Sequence, residues 1–128
     1  MIRILIADDN TMIRRGLRKL LETHDGWEVC GEASDGREAI QKTRELDPDV
    51  IVLDFLMPDL NGLEAAKEIA EISPKVPILL WSIYMSAELI DAARNARIAG
   101  ILPKGNLQEL FSGLETILSG GTFIAPVP

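Results

Sequence analysis

The 128 residues hold one cysteine, one histidine and no apolar run approaching the ~20 residues of a membrane span. Without a second thiol no intramolecular disulfide can form. Cys30, in an apolar-rich, strand-like segment, reads as a small buried hydrophobe in a reducing cytosol. No charged-then-apolar leader opens the chain, so a soluble, cytoplasmic protein with no membrane partner is expected. Basic residues are in deficit as well: 13 against 20 acidic ones give a formal net charge of −7. That balance repels polyphosphate backbones and leaves no basic patch, so this chain by itself is not expected to bind DNA. The single His24, near the end of a predicted helix, reads as a solvated or helix-end cation and not as a catalytic base. Internal repeats and low-complexity tracts are missing too. What is present, 47% hydrophobic residues over 128, suffices for one domain with its own core.

The chain is organised around residues 49–62. Residues 50–53 are apolar without alternation and lie between Pro48 and Pro58, which predicts a strand buried on both faces and ending at Asp54. Upstream, residues 2–7 predict a strand, Asp8-Asp9-Asn10 an acidic turn in which Asn10 or Asp9 caps a helix, and Ile13, Leu17, Leu20 and Leu21 that helix's apolar face. Residues 27–33 predict a second strand, with Ser34 capping a helix that buries Ala39, Ile40, Thr43 and Leu46. Downstream of Asp54, a turn through residues 58–62 leads to a third helix with Leu63, Ala66, Ile69 and Ile72 inward. Residues 76–81 make a fourth strand closing at Ser82. An alanine-rich fourth helix follows from about Ser86 and is expected to be the least firmly packed. Residues 98–103 make a fifth strand ending at Lys104. Asn106 and Glu109 predict a capping box for a fifth helix striped by Leu107, Leu110, Phe111, Leu114, Ile117 and Leu118. Residues 122–128, with two prolines and no periodicity, read as the start of a linker, which sets a domain at 1–118 and a junction at 119–128.

Five strands alternating with five helices predict an α/β fold, a flavodoxin-like (βα)5 doubly wound sandwich with a parallel sheet in the order 2-1-3-4-5. In that order the strands ending at Asp8-Asp9, Asp54, Ser82 and Lys104 are neighbours, and their polar ends converge on one pocket. Taken singly, each of these residues has a plainer reading as a cap, a turn residue or a solvated charge. Their succession at four strand ends outweighs those separate readings. Three carboxylates in one pocket repel one another, and Mg²⁺ with its oxygen ligands relieves the conflict. Asp9 and Asp54 are the expected direct ligands, Asp8 binds directly or through water, and the Leu56 carbonyl is a plausible further ligand. So neutralised, the Asp54 carboxylate can attack phosphorus. Lys104 supplies a compact charge for one phosphoryl oxygen and Ser82 a hydroxyl for another.

At these residues the sequence resembles the receiver domain of bacterial two-component response regulators. The likeness rests on residues 4–10, 52–62, 80–82 and 99–104 and extends from about Ile2 to Leu118. It implies that Asp54 is the phosphoacceptor, that Asp8 and Asp9 are the metal-binding pair, and that Ser82 and Lys104 sense the phosphoryl group. It further implies Mg²⁺-dependent transfer from a sensor histidine kinase or phosphotransfer protein, a switch that catalyses its own phosphorylation and dephosphorylation without being an enzyme in the ordinary sense, and output through the fourth helix, fifth strand and fifth helix. Residues 118–126 are similar to the junction preceding a LuxR-type helix-turn-helix domain, so transcription is the expected output and DNA is reached only through that further domain. The stripe on the fifth helix leaves a homodimer face open.

Three departures from the family stand out. Ile101 replaces an aromatic residue that moves with the hydroxyl residue, Ile83 replaces a small residue and could crowd the phosphoryl pocket, and Lys104 is followed by Gly105 instead of proline, so no cis bond is expected there. Leu56 and Tyr84 at the pocket rim predict slow hydrolysis of the phosphoryl group. Two competing readings are a degenerate receiver-like interaction module that takes no phosphate, and a Mg²⁺-dependent phosphohydrolase. The latter needs an acid–base carboxylate where Leu56 stands.

Overall fold

The computed structural model describes residues 1–124. Along the chain come β1 (Ile2–Ala7), α1 (Thr11–Leu21), β2 (Trp27–Ala33), α2 (Gly36–Leu46), β3 (Val50–Asp54), α3 (Gly62–Ile72), β4 (Ile78–Ser82), α4 (Ala87–Asn95), β5 (Gly100–Pro103), α5 (Leu110–Leu118) and β6 (Phe123–Ile124), with a 3₁₀ turn at Leu107–Glu109 leading into α5. The strands pair in parallel in the order β2-β1-β3-β4-β5-β6. The predicted five-strand order is therefore present, with one strand added. Phe123 and Ile124 pair with Gly100 and Ile101, which corrects the expectation that nothing structural follows α5. Glycines make room for this strand: a β-carbon on Gly113 would come within 3.1 Å of the Phe123 ring. Residues 125–128 of the expected junction lie outside the described residues.

Strand side chains alternate between two cores because successive residues of a strand point to opposite faces. Leu5, Ile51, Leu53, Ile78, Leu80 and Ile101 face α2, α3 and α4, meeting Ala39, Ile40, Ala65, Ala66, Ile69, Leu89 and Ala93. Ile4, Ile6, Val50, Val52, Leu79, Trp81 and Leu102 face α1 and α5, meeting Leu17, Leu21, Leu110, Leu114 and Ile117. Both faces of the central strands are thus covered, and polar groups on them are confined to the strand ends.

Caps fix where the helices begin. Asn10 accepts from Ile13 N at 3.1 Å to start α1, and Asn61 and Glu64 form a reciprocal capping box on α3. Ser34 does not cap α2. Asp35 does, accepting from Glu38 N at 2.8 Å, while the Glu38 carboxylate accepts from Ser34 N. A carboxylate at this position also meets the positive end of the helix dipole. The box expected at Asn106 is not made either: its side-chain amide donates to Glu109, the chain turns through 3₁₀ geometry, and Leu107 is left 45% exposed.

His24 is not a solvated cation. Its ring stacks on Trp27 with centroids 3.8 Å apart and lies 5.7 Å from Phe111, with Nε2 3.9 Å from Glu115, so it joins the α1–β2 turn to α5. Cys30 is half-buried, its thiol donating to Ile4 O at 3.5 Å; burial pushes that thiol up, as suits an inert packing residue. Among the described residues every peptide bond is trans, and no helix is long and apolar enough to cross a membrane.

Candidate functional site

The acid pocket lies at the C-terminal edge of β1, β3, β4 and β5. Backbone hydrogen bonds hold the strand ends in step: Phe55 N donates to Trp81 O at 3.0 Å, Lys104 N to Ser82 O at 2.9 Å and Asp8 N to Ala33 O at 3.0 Å. The two-residue period then aims the side chains. Asp8 continues the Ile4, Ile6 series, Asp54 the Val50, Val52 series and Lys104 follows Leu102, so all three extend the face that packs on α1 and α5. Ser82 continues the opposite series.

Asp8 is fully buried and Asp54 is 3% exposed, whereas Asp9 is exposed. One carboxylate oxygen from each of the three lies within 4.8 Å of the others. Lys104 Nζ stands between two of them, 2.8 Å from Asp8 Oδ2 and 3.2 Å from Asp54 Oδ2. Asp8 is further held by Asn10 N, which donates to Oδ1 at 2.9 Å, and by the Trp81 indole, which donates to Oδ2 at 3.4 Å. Asp54 Oδ1 accepts from Leu56 N at 3.3 Å.

Two negative groups share one ammonium, and the charge balance is incomplete. Burial and the neighbouring Asp8 charge push the Asp54 carboxyl up to about 6, against the pull of Lys104. Burial works against the charge of Lys104, but its hydrogen bond to Asp8 and the charges of Asp54 and Asp8 prevail and hold the ammonium above its usual range. A pocket of oxygen donors with excess negative charge suits a hard divalent cation. Asp8, Asp9 and Asp54 could hold one, with exposed Asp9 on the side open to solvent.

Ser82 is 1% exposed, and its Oγ accepts from Tyr84 N at 3.0 Å, leaving the hydroxyl proton free to donate elsewhere. Ile83, expected to crowd the pocket, is 63% exposed and so belongs to the rim. Ile101 is fully buried in the core toward α3 and α4, with no ring to swing. Two further residues serve the site. Trp81, read from sequence as core alone, touches Asp8; its shared register with Asp54 was the available signal. Arg14 donates to the Asp8 carbonyl at 2.6 Å and to Glu32 at 3.1 Å. Burial alone would raise the Glu32 carboxyl, but its bonds from Arg18 and Arg14 hold it low, so the bridge between α1 and β2 is charged. Nothing local in the sequence signals that bridge.

The family model for the response regulator receiver domain matches residues 4–115. Response regulator UvrY of Escherichia coli (strain K12) is 36% identical over 126 residues, covering 98% of this chain and 58% of UvrY. The chain therefore spans little more than half the length of the curated relatives it matches. A two-component response regulator of the LuxR family from Aurantimonas sp. SI85-9A1 superposes with a TM-score of 0.93 at 32% identity, over 97% of this chain and 89% of that one. The isolated REC domain of RcsB from Salmonella enterica serovar Typhimurium, solved in the presence of phosphomimetic BeF3⁻, gives 0.88 at 26% identity, over 97% and 93%. The matched span contains all of Asp8, Asp9, Asp54, Ser82 and Lys104, so the likeness and the pocket fall on the same residues, and the chain belongs to the response regulator receiver domain family.

Proposed function

We propose that this receiver takes a phosphoryl group onto Asp54 from a phosphohistidine on a sensor histidine kinase or phosphotransfer protein, with Mg²⁺, and so regulates transcription through a LuxR-type DNA-binding domain. The observation that carries the reading is Lys104 set between Asp8 and Asp54 in a buried pocket of three carboxylates. Asp8, Asp9, Asp54 and the Leu56 carbonyl would hold the cation, which supplies charge neutralisation for the acceptor and the phosphoryl oxygens.

Each side chain then has a task. An Asp54 carboxylate oxygen bonds to phosphorus as the phosphorus–nitrogen bond of the donor breaks and the imidazole keeps the electron pair. Lys104 is already 3.2 Å from Asp54 and meets one phosphoryl oxygen without a large movement. Ser82 offers its hydroxyl proton to another. Arg14, anchored on Glu32, braces the backbone at Asp8. Around the pocket, Met12, Leu56, Ile83, Tyr84 and Leu107 are exposed apolar residues on segments that follow strands, an apolar collar suited to docking a donor protein.

The receiver unit extends at least to Ile124, because β6 belongs to its sheet. The proposal places the protein in the cytoplasm, where sensor kinases present their phosphohistidines. The test is incubation with Mg²⁺ and acetyl phosphate followed by intact mass. A phosphoryl adduct that Asp54→Ala abolishes is the expected result, and its absence would favour an interaction module that takes no phosphate.

A further inference from the structure

Trp81 precedes Ser82 on β4 and is 3% exposed. Its indole N–H donates to Asp8 Oδ2 at 3.4 Å, and its ring centroid lies 5.7 Å from Lys104 Nζ. On its far side the ring borders an apolar cavity of about 250 Å³ lined also by Ile13, Leu17, Leu20 and Leu107. A plain core aromatic needs no polar partner in the site, and this one reaches the same oxygen that Lys104 holds at 2.8 Å.

The bond is long for N–H to O, which normally measures about 2.9–3.0 Å, because Lys104 already occupies that oxygen. A phosphoryl group on Asp54 draws the ammonium away: its oxygens carry more charge than the carboxylate they replace. Asp8 then keeps a fully buried oxygen that has lost its charged donor, and such a group is costly to leave unpaired. The Trp81 N–H is within reach, and the cavity behind the ring leaves it free to shift by the few tenths of an ångström that a normal bond needs.

We propose that Trp81 is a positioning residue whose indole N–H takes over Asp8 as Lys104 moves to the phosphoryl group, keeping Asp8 paired and oriented in the phosphorylated state. The inference rests on phosphorylation of Asp54. It is tested on the full chain labelled with ¹⁵N, in which Trp27 and Trp81 give the two indole signals. Acetyl phosphate with Mg²⁺ is followed by intact mass in parallel, and beryllium fluoride serves as the equilibrium mimic. On phosphorylation the Trp81 indole proton is expected to move downfield and to exchange more slowly with water, while Trp27 stays in place. Trp81→Phe keeps the ring and loses the donor, and should bind beryllium fluoride about tenfold more weakly. An adduct on wild-type Asp54 with an unmoved Trp81 signal, or undiminished affinity in a folded Trp81→Phe, overturns the proposal. Absence of any adduct on the wild-type protein overturns the phosphorylation reading, and this inference with it.

Discussion

At the scale of single residues, Asp54 trades stability for reactivity. Its carboxyl, raised from the usual 3.8 to about 6 by burial and by Asp8, keeps a proton in the fold that the unfolded chain has already released between those values. Stability therefore falls as pH rises from about 4 to about 6 and stays lower above. After allowance for partial solvation at the sheet edge, the cost is about 2 kcal/mol at neutral pH. Metal-free Asp54→Asn should accordingly melt higher than wild type at pH 7.5, and the gap should close below pH 4. Calorimetry at both values decides it, and added Mg²⁺ should narrow the gap at pH 7.5 by stabilising wild type more. A second prediction concerns Leu56, 45% exposed at the rim. Once phosphorylated, Leu56→Asn should lose its phosphoryl group severalfold faster than wild type, because an amide admits and orients water where isobutyl excludes it. Unchanged decay in a timed mass measurement would refute this. These residues were legible in the sequence because a charged group at the end of an apolar run has few other reasons to be there. His24 was not, since its stacking partners Trp27 and Phe111 meet it only in the fold.

At the scale of elements, α3 starts hard against the acceptor strand. Gly62 N donates to Phe55 O at 2.8 Å, and a β-carbon at Gly62 would press on the Asp54 carbonyl and come within 2.8 Å of the Leu80 side chain. Gly62→Ala should therefore cost about 1–3 kcal/mol in chemical denaturation and displace the segment carrying Asp54. Gly16, within α1 and with nothing within 4 Å of an added β-carbon, provides the contrast. Gly16→Ala should stabilise by roughly 0.5–1 kcal/mol. Helix beginnings were the least legible part of this scale. Ser34 and Asp35 are both good caps, and only the reach of Glu38 back to Ser34 N decides between them. Asn106 and Glu109 have the spacing of a capping box but bond side chain to side chain, because the backbone there winds as 3₁₀.

At the scale of the whole molecule, the sheet order followed from strand–helix alternation, while β6 left no trace in the sequence: two residues show no period, and what holds them is space above Gly100 and Gly113. Ending the chain at Leu118 should uncover that slot and lose about 1–2 kcal/mol relative to a chain ending at Ile124, read by urea denaturation. The same order governs assembly during synthesis. Strands β2, β1 and β3 are contiguous in the sheet and complete once residue 54 is made, after which β4, β5 and β6 add one by one to a single growing edge. In a nascent chain Asp8 and Asp54 thus come together while Lys104 is still fifty residues from being translated. The acceptor strand is born with its repulsion unrelieved, and the ammonium that arrives on β5 is what makes the closed pocket worth keeping.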